Sequence, residues 1–188
     1  VAVHGIDLSE AMLAQIRAKP GAERIALTVG DMATTRVPGA FALVYLVFNT
    51  IGNLTTQDAQ VACFANAAAH LAPGGAFVVE VGVPDLQRLP HGERFRPFSF
   101  SDEHIGIDEI DVVSQRLVSH HLVAAGGTYL RRSIPFRYVW PSELDLMARL
   151  AGLALEGRYG GWRREPFTRE STAHVSVWRK VAGSTRGS

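Results

Sequence analysis

Two acidic residues near the start of the chain stand where side chains could bind a nucleotide. In Val3-His4-Gly5-Ile6-Asp7-Leu8-Ser9-Glu10 a short apolar run ends in Asp7, and Ser9 can cap a helix that Glu10 then enters. The pattern predicts a strand that delivers Asp7 to a ligand. In a doubly wound α/β sheet such a corner lies at the carboxyl ends of the strands, where ligands bind. A carboxylate there can accept hydrogen bonds from both hydroxyls of a ribose. The arrangement recurs after Ile25-Ala26-Leu27-Thr28-Val29, where Gly30-Asp31-Met32 follows directly. Gly-Asp is also an ordinary turn, and Asp7 could cap the helix beside it, so the pair carries more weight than either acid alone.

The elements that must hold these residues alternate through the first half. A helix after Ser9 turns Met12, Leu13 and Ile16 inward and stops at Lys19-Pro20-Gly21. Phe41 to Phe48 is apolar on both faces, as a central parallel strand should be. Thr55-Thr56-Gln57-Asp58 opens a helix with Val61, Phe64, Ala65, Ala68 and Leu71 at helical spacing, ended by Ala72-Pro73-Gly74-Gly75. Ala76 to Val81 is a fourth strand, with Glu80 near its end. Such alternation marks a right-handed parallel sheet.

The second half changes character. Residues 86–106 read as a loop able to act as a lid, mixing His91, Arg94, Arg96 and His104 with Phe95, Phe98 and Phe100. Val112 to Val123 and Thr128 to Val139 read as an antiparallel hairpin turned at Ala124-Ala125-Gly126-Gly127. A helix begins at Pro141 with Ser142 as its cap and ends at Gly152. Strands Leu153 to Tyr159 and Thr172 to Trp178 close a single domain over 1–182, with the lid and hairpin inserted at about 86–139 and a tail at 183–188.

Composition removes several function classes. With 19 basic and 18 acidic residues the net charge is +1, which leaves no electrostatic footprint for nucleic acid or an acidic membrane. Apolar residues at 47% in 188 residues suffice for a core without metals or disulfides, and the one cysteine, Cys63, demands no oxidising compartment. A cytoplasmic location follows as the expectation. His120 and His121 are neighbours and must point to opposite faces of a strand, so they cannot chelate one metal together.

Four stretches taken together resemble one family: Gly5-Ile6-Asp7-Leu8-Ser9, Gly30-Asp31-Met32, the strand ending in Phe48-Asn49-Thr50, and Leu71-Ala72-Pro73-Gly74-Gly75 before a strand. Their order and spacing are similar to those of class I S-adenosylmethionine-dependent methyltransferases. The second half, with its hairpin, Tyr159-Gly160-Gly161-Trp162 and Pro166-Phe167-Thr168, resembles the small-molecule branch that includes amino-sugar and glycine N-methyltransferases.

The resemblance implies a Rossmann-like, doubly wound α/β sheet, mostly parallel with an antiparallel last strand and an antiparallel hairpin insertion. It implies S-adenosyl-L-methionine as cofactor, with Asp7 on the ribose hydroxyls, Asp31 on the adenine amino group, the Met32 backbone on a ring nitrogen and Leu8 against the adenine. Phe48 and Asn49 would stand near the transferred methyl. Phe95, Phe98, His120, Tyr129, Arg131 and Tyr159 would bind a small-molecule acceptor, an amine being one option. No catalytic base is singled out, no metal is expected, and a homodimer is an assembly the fold permits.

Family members carry a glycine-rich strand-loop ahead of the strand that opens this sequence, and none of the glycine pairs here can replace it. The chain therefore reads as part of a longer protein, since a sheet without its central strand would expose hydrogen-bonding edges. The alternative is a non-catalytic module that keeps only the scaffold. A nicotinamide dehydrogenase would also place an acid after a strand, but the chain has no Tyr-x-x-x-Lys and Asp31-Met32 has no part in that chemistry.

Overall fold

The computed structural model describes residues 1–181. In chain order the elements are β1 (Val3–Asp7), α1 (Glu10–Arg17), β2 (Ile25–Val29), β3 (Phe41–Leu46), a 3₁₀ turn (Thr50–Asn53), α2 (Gln57–His70), β4 (Leu71–Gly82), β5 (Phe95–Phe100), β6 (His104–Asp111), β7 (Arg116–Ala125), β8 (Thr128–Arg137), α3 (Pro141–Leu150), β9 (Leu153–Tyr159) and β10 (Ala173–Lys180). β1 and β2 pair in parallel. A second sheet has the order β3-β4-β10-β9, with β3 and β4 parallel and β10 antiparallel to both neighbours. The expected antiparallel last strand is thus present.

The core lies under α2 and α3. Phe64 of α2 meets Phe77 of β4 edge-on at 5.0 Å between centroids and Trp178 of β10 at 5.4 Å, and all three are fully buried. Around them Leu144 and Met147 of α3 complete an apolar layer. Residues of β1, β2, β3 and α2 line a cleft of about 370 Å³, among them Ile6, Leu27, Met32, Leu46 and Asn66. Asn66 donates to the carbonyls of Met32 and Thr35, while its buried Oδ1 has no partner among the described residues.

Several local expectations change. Leu13 is buried but Met12 is exposed, because α1 ends at Arg17 and turns one narrow face inward. Ala65 is likewise exposed, and the buried stripe of α2 includes the polar Gln60, Asn66 and His70. β4 starts at Leu71, not after Gly75, with an irregularity where it meets β3. Leu43 and Tyr45 remain more than half exposed, so only one face of β3 is covered among the described residues. Trp140, not Ser142, caps α3, since the fixed φ of Pro141 suits the first helical position.

The expected hairpin is present as β7 and β8. The largest correction concerns the stretch before it, where β5 and β6 stand in place of most of the expected loop and join the hairpin in a four-stranded antiparallel sheet, β5-β6-β7-β8. Pro97 and Pro135 lie in β5 and β8, the two edge strands, where a missing N–H is tolerated. Residues 182–188, with the expected end of the domain and the tail, lie outside the described residues.

Candidate active site

Asp7 and Asp31 close their strands in the same way. Asp7 Oδ1 accepts from the backbone N–H of Ser9 at 2.8 Å, and Asp31 Oδ1 accepts from that of Ala33 at 2.8 Å. Each acid thus spends one oxygen on a tight local turn, and no donor among the described residues reaches the other. The capping and ligand readings of Asp7 are therefore compatible. The two turns are tied together, because Gly30 N–H donates to the carbonyl of Asp7 at 3.0 Å. Gly30 is obligatory there: a Cβ would come within 2.2 Å of the Thr35 hydroxyl. Leu8 projects into solvent beside Asp7, while Met32 packs against the core and lines the cleft.

After β3 the backbone is strained. Phe48 and Asn49 both have φ of 58°, an uncommon conformation for residues with side chains and a costly one for a bulky Phe. Glu80 and Gly82 of β4 hold it in place. Phe48 N–H donates to Glu80 Oε2 at 3.1 Å, Asn49 N–H donates to the Glu80 carbonyl at 3.3 Å, and Asn49 Oδ1 accepts from Gly82 N–H at 2.6 Å. Asn49 is thereby a turn residue, and the Phe48 ring is held outward, 90% exposed. Strain kept by this many bonds is characteristic of functional sites.

The outer sheet divides the expected acceptor residues between its faces. Phe98 sits on one, over Gly106, where a Cβ would come within 2.3 Å of the ring. It meets His121 edge-on at 5.3 Å, and His121 in turn stacks on His104 with Nδ1 and Nε2 at 3.0 Å. Phe95, His120, Tyr129 and Arg131 occupy the other face by register. There Arg94 lies over Phe95 at 4.9 Å, and His120 Nε2 is 3.2 Å from Glu109 Oε2. His120 Nδ1 is 2.8 Å from Ser133 Oγ and 3.2 Å from an Arg131 guanidinium nitrogen. A guanidinium only donates, so Nδ1 accepts and the ring proton sits on Nε2, directed at Glu109. A cavity of about 590 Å³ opens on this face, lined by Leu89, Arg94, Glu109, Arg116 and Val118 among others. Tyr159 stands apart on β9, three strands from β3.

Cys63 is buried, and burial, with a smaller contribution from Asp31, pushes its thiol up to about 12. It packs and does not react. Among the described residues no group of three or more metal-ligating side chains occurs, and no helix is long and apolar enough to cross a membrane.

One buried polar cluster escaped the sequence reading. Arg137, 5% exposed, donates to Gln60 Oε1 at 2.5 Å, to Gln115 Oε1 at 3.0 Å and to Glu143 Oε1 at 2.7 Å. Burial opposes ionisation of Glu143, yet hydrogen bonds from Arg137, Gln115 and Gln57 hold its carboxyl below the usual range. The available signal was Gln60 itself, a polar residue four positions before Phe64 on the inward stripe of α2.

Comparison with known proteins identifies this arrangement. Residues 1–75, which contain both acids and the strained turn, match a family described as a methyltransferase domain. The CcbJ methyltransferase from Streptomyces caelestis is 35% identical and superposes with a TM-score of 0.85, over 96% of this chain and 80% of that one. Cypemycin N-terminal methyltransferase from a Streptomyces species is 26% identical over 178 residues, 93% of this chain and 73% of the relative. The dTDP-3-amino-3,4,6-trideoxy-alpha-D-glucopyranose N,N-dimethyltransferase of Streptomyces venezuelae is 40% identical over 77 residues, 40% of this chain and 31% of the relative. With paired acids at successive strand ends and a fold shared along nearly its whole length, this chain is an enzyme of the S-adenosylmethionine-dependent methyltransferase family.

Proposed function

We propose that the chain methylates an amine of a small molecule, and that the acceptor binds on the Glu109 face of the outer sheet. The observation that carries the placement is the 590 Å³ cavity beside the Glu109–His120 pair, within the usual ~300–1,000 Å³ of small-molecule sites and mixed in polarity. The amine is supported by the N-methyltransferase names of two relatives. Asp7 would hold the ribose hydroxyls, Asp31 and the Met32 backbone the adenine, with Leu8 and Phe48 as apolar flanks; their free carboxylate oxygens and outward side chains fit an adenosyl group.

The cofactor supplies a methyl already activated on a sulfonium. The protein's task is then to present a neutral nitrogen in line with it, an effect of proximity and orientation. An ammonium has no lone pair, so a carboxylate near the acceptor aids the step, and Glu109, oriented by His120, can take that proton. Cys63, the only cysteine, is buried, which suits a cytoplasmic location. Exposed Leu130 and Ile134 on the outer sheet suit a homodimer, which sedimentation would test.

The test is a panel of acceptors with methyl-deuterated S-adenosylmethionine: dTDP-3-amino-3,4,6-trideoxy-α-D-glucopyranose, N-terminal peptide amines, and matched hydroxyl compounds. Mass spectrometry should find the label on amines. Label only on hydroxyl compounds would overturn the amine reading. With an accepted amine, His120→Phe should raise its KM roughly tenfold, the worth of one lost polar contact, and leave adenosine affinity unchanged. An unchanged KM would remove the acceptor from this face.

A further inference from the structure

We propose that Arg137 and Gln60 form a positioning clamp that sets the outer sheet against the Asn49–Asn53 turn, and so aligns the acceptor with the methyl group. The proposal rests on the reading that the outer sheet carries the acceptor.

Gln60 lies on α2 and is fully buried. Its amide nitrogen donates to the carbonyl of Ile51 in the 3₁₀ turn and to the carbonyl of Arg137 at the end of β8, both at 3.2 Å. Its amide oxygen takes a bond from the Arg137 guanidinium. One side chain therefore joins the segment directly after the strained Phe48–Asn49 corner to the end of β8, where the chain leaves the outer sheet. The contact is close: a Cβ on Gly52 would lie 3.4 Å from the Arg137 carbonyl.

The other prongs of Arg137 fix the same sheet from a second direction. Glu143 ties it to α3. Gln115, in the turn between β6 and β7, accepts from Arg137 and donates to the Tyr138 carbonyl at 3.0 Å and to Glu143 at 2.9 Å. Gln115 has φ of 56°, so this turn too is held in a strained conformation by the cluster. The turn that follows Phe48–Asn49 and the turn that holds Gln115, one beside β3 and one in the outer sheet, thus end on the same guanidinium–amide group.

An apolar contact at this junction would let the sheets slide, because burial is non-directional. A planar guanidinium with three acceptors fixes angle as well as distance. Buried ion pairs often add no net stability over apolar replacements of similar volume, so alignment is the property that this cluster contributes and a hydrophobic plug would not. A displacement of about 1 Å between reacting groups can lower a rate by ~100-fold.

The experiment compares Arg137→Met with the triple variant Gln60→Leu/Arg137→Met/Glu143→Leu, which removes Arg137 together with two of its three side-chain acceptors. The single variant leaves Glu143 without its ion-pair partner and Gln60 Oε1 without a donor, and should unfold at lower urea. The triple variant should recover most of the wild-type midpoint, while kcat with the accepted amine stays at least tenfold down and KM and adenosine affinity remain within about threefold. Recovery of kcat together with stability would show the cluster to be structural only and overturn the proposal.

Hydrogen exchange supplies an arm that needs no acceptor. In the triple variant amides of 49–53 and 128–137 should exchange at least tenfold faster, with those of Phe77 to Val81 unchanged. Wild-type protection at both segments would equally overturn the clamp. If no amine is methylated, the acceptor reading fails, and the exchange result still decides this one.

Discussion

Phe64→Ala should lower the unfolding free energy by about 3–5 kcal/mol, the usual range for deleting a fully buried ring. The side chain is at the crossing of α2 with β4 and β10, edge-on to both Phe77 and Trp178. Truncation removes two aromatic contacts and leaves a cavity whose walls cannot collapse, because β4 and β10 are paired over seven consecutive positions. Against a typical total of ~5–15 kcal/mol, such a loss takes a third or more of the stability. Urea unfolding followed by circular dichroism measures it. A loss below about 1 kcal/mol would mean that the three-ring cluster is not the centre of the core.

Acid should destabilise the fold through His174. Its ring is fully buried on β10, with Nδ1 2.8 Å from Ser176 Oγ and Nε2 without a partner among the described residues. Burial, and then the nearby Arg158 guanidinium, push the imidazole down to about 4, partly opposed by Asp145. The unfolded chain takes up this proton near pH 6.5, whereas the folded chain resists it until about pH 4. The unfolded state therefore binds more protons in between, and stability is fully present above about pH 6.5 and is lost as pH falls toward 4. The depression corresponds to about 3 kcal/mol. Carboxylates contribute their own acid sensitivity, so the informative quantity is the difference between wild type and His174→Met. Urea titrations at pH 7 and pH 4 should show the wild type losing more by about this amount, and parallel losses would refute the assignment.

The strand-end acids were legible because their chemistry is local. Asp7 and Asp31 each follow a short apolar run and precede a turn, and both turns form within two residues of the acid. The helices were legible to within a turn, because Ser9 and Thr56 accept from the backbone N–H three residues on. The outer sheet was legible in its β7–β8 hairpin, where Gly126-Gly127 marks the turn, but not in β5 and β6. β5 carries Pro97 and a register shift beside it, so it shows little periodicity, and a proline there is harmless only because β5 is an edge strand, which is a property of the whole sheet. Nor does a period of two reveal that Phe95 and Phe98 part to opposite faces unless the strand itself is recognised. The Gln60–Arg137 cluster joins residues 77 positions apart, a separation over which no local pattern operates.

Calorimetric titration of adenosine into the chain and into Asp7→Ala tests most directly whether the acids at the strand ends hold the cofactor. Adenosine presents only the groups assigned to Asp7, Asp31 and Met32. Wild type should bind it, and Asp7→Ala should bind it more weakly by about 1–3 kcal/mol, the worth of hydrogen bonds to a charged acceptor. Equal affinity in the two proteins, or no binding by the wild type, would contradict the assignment.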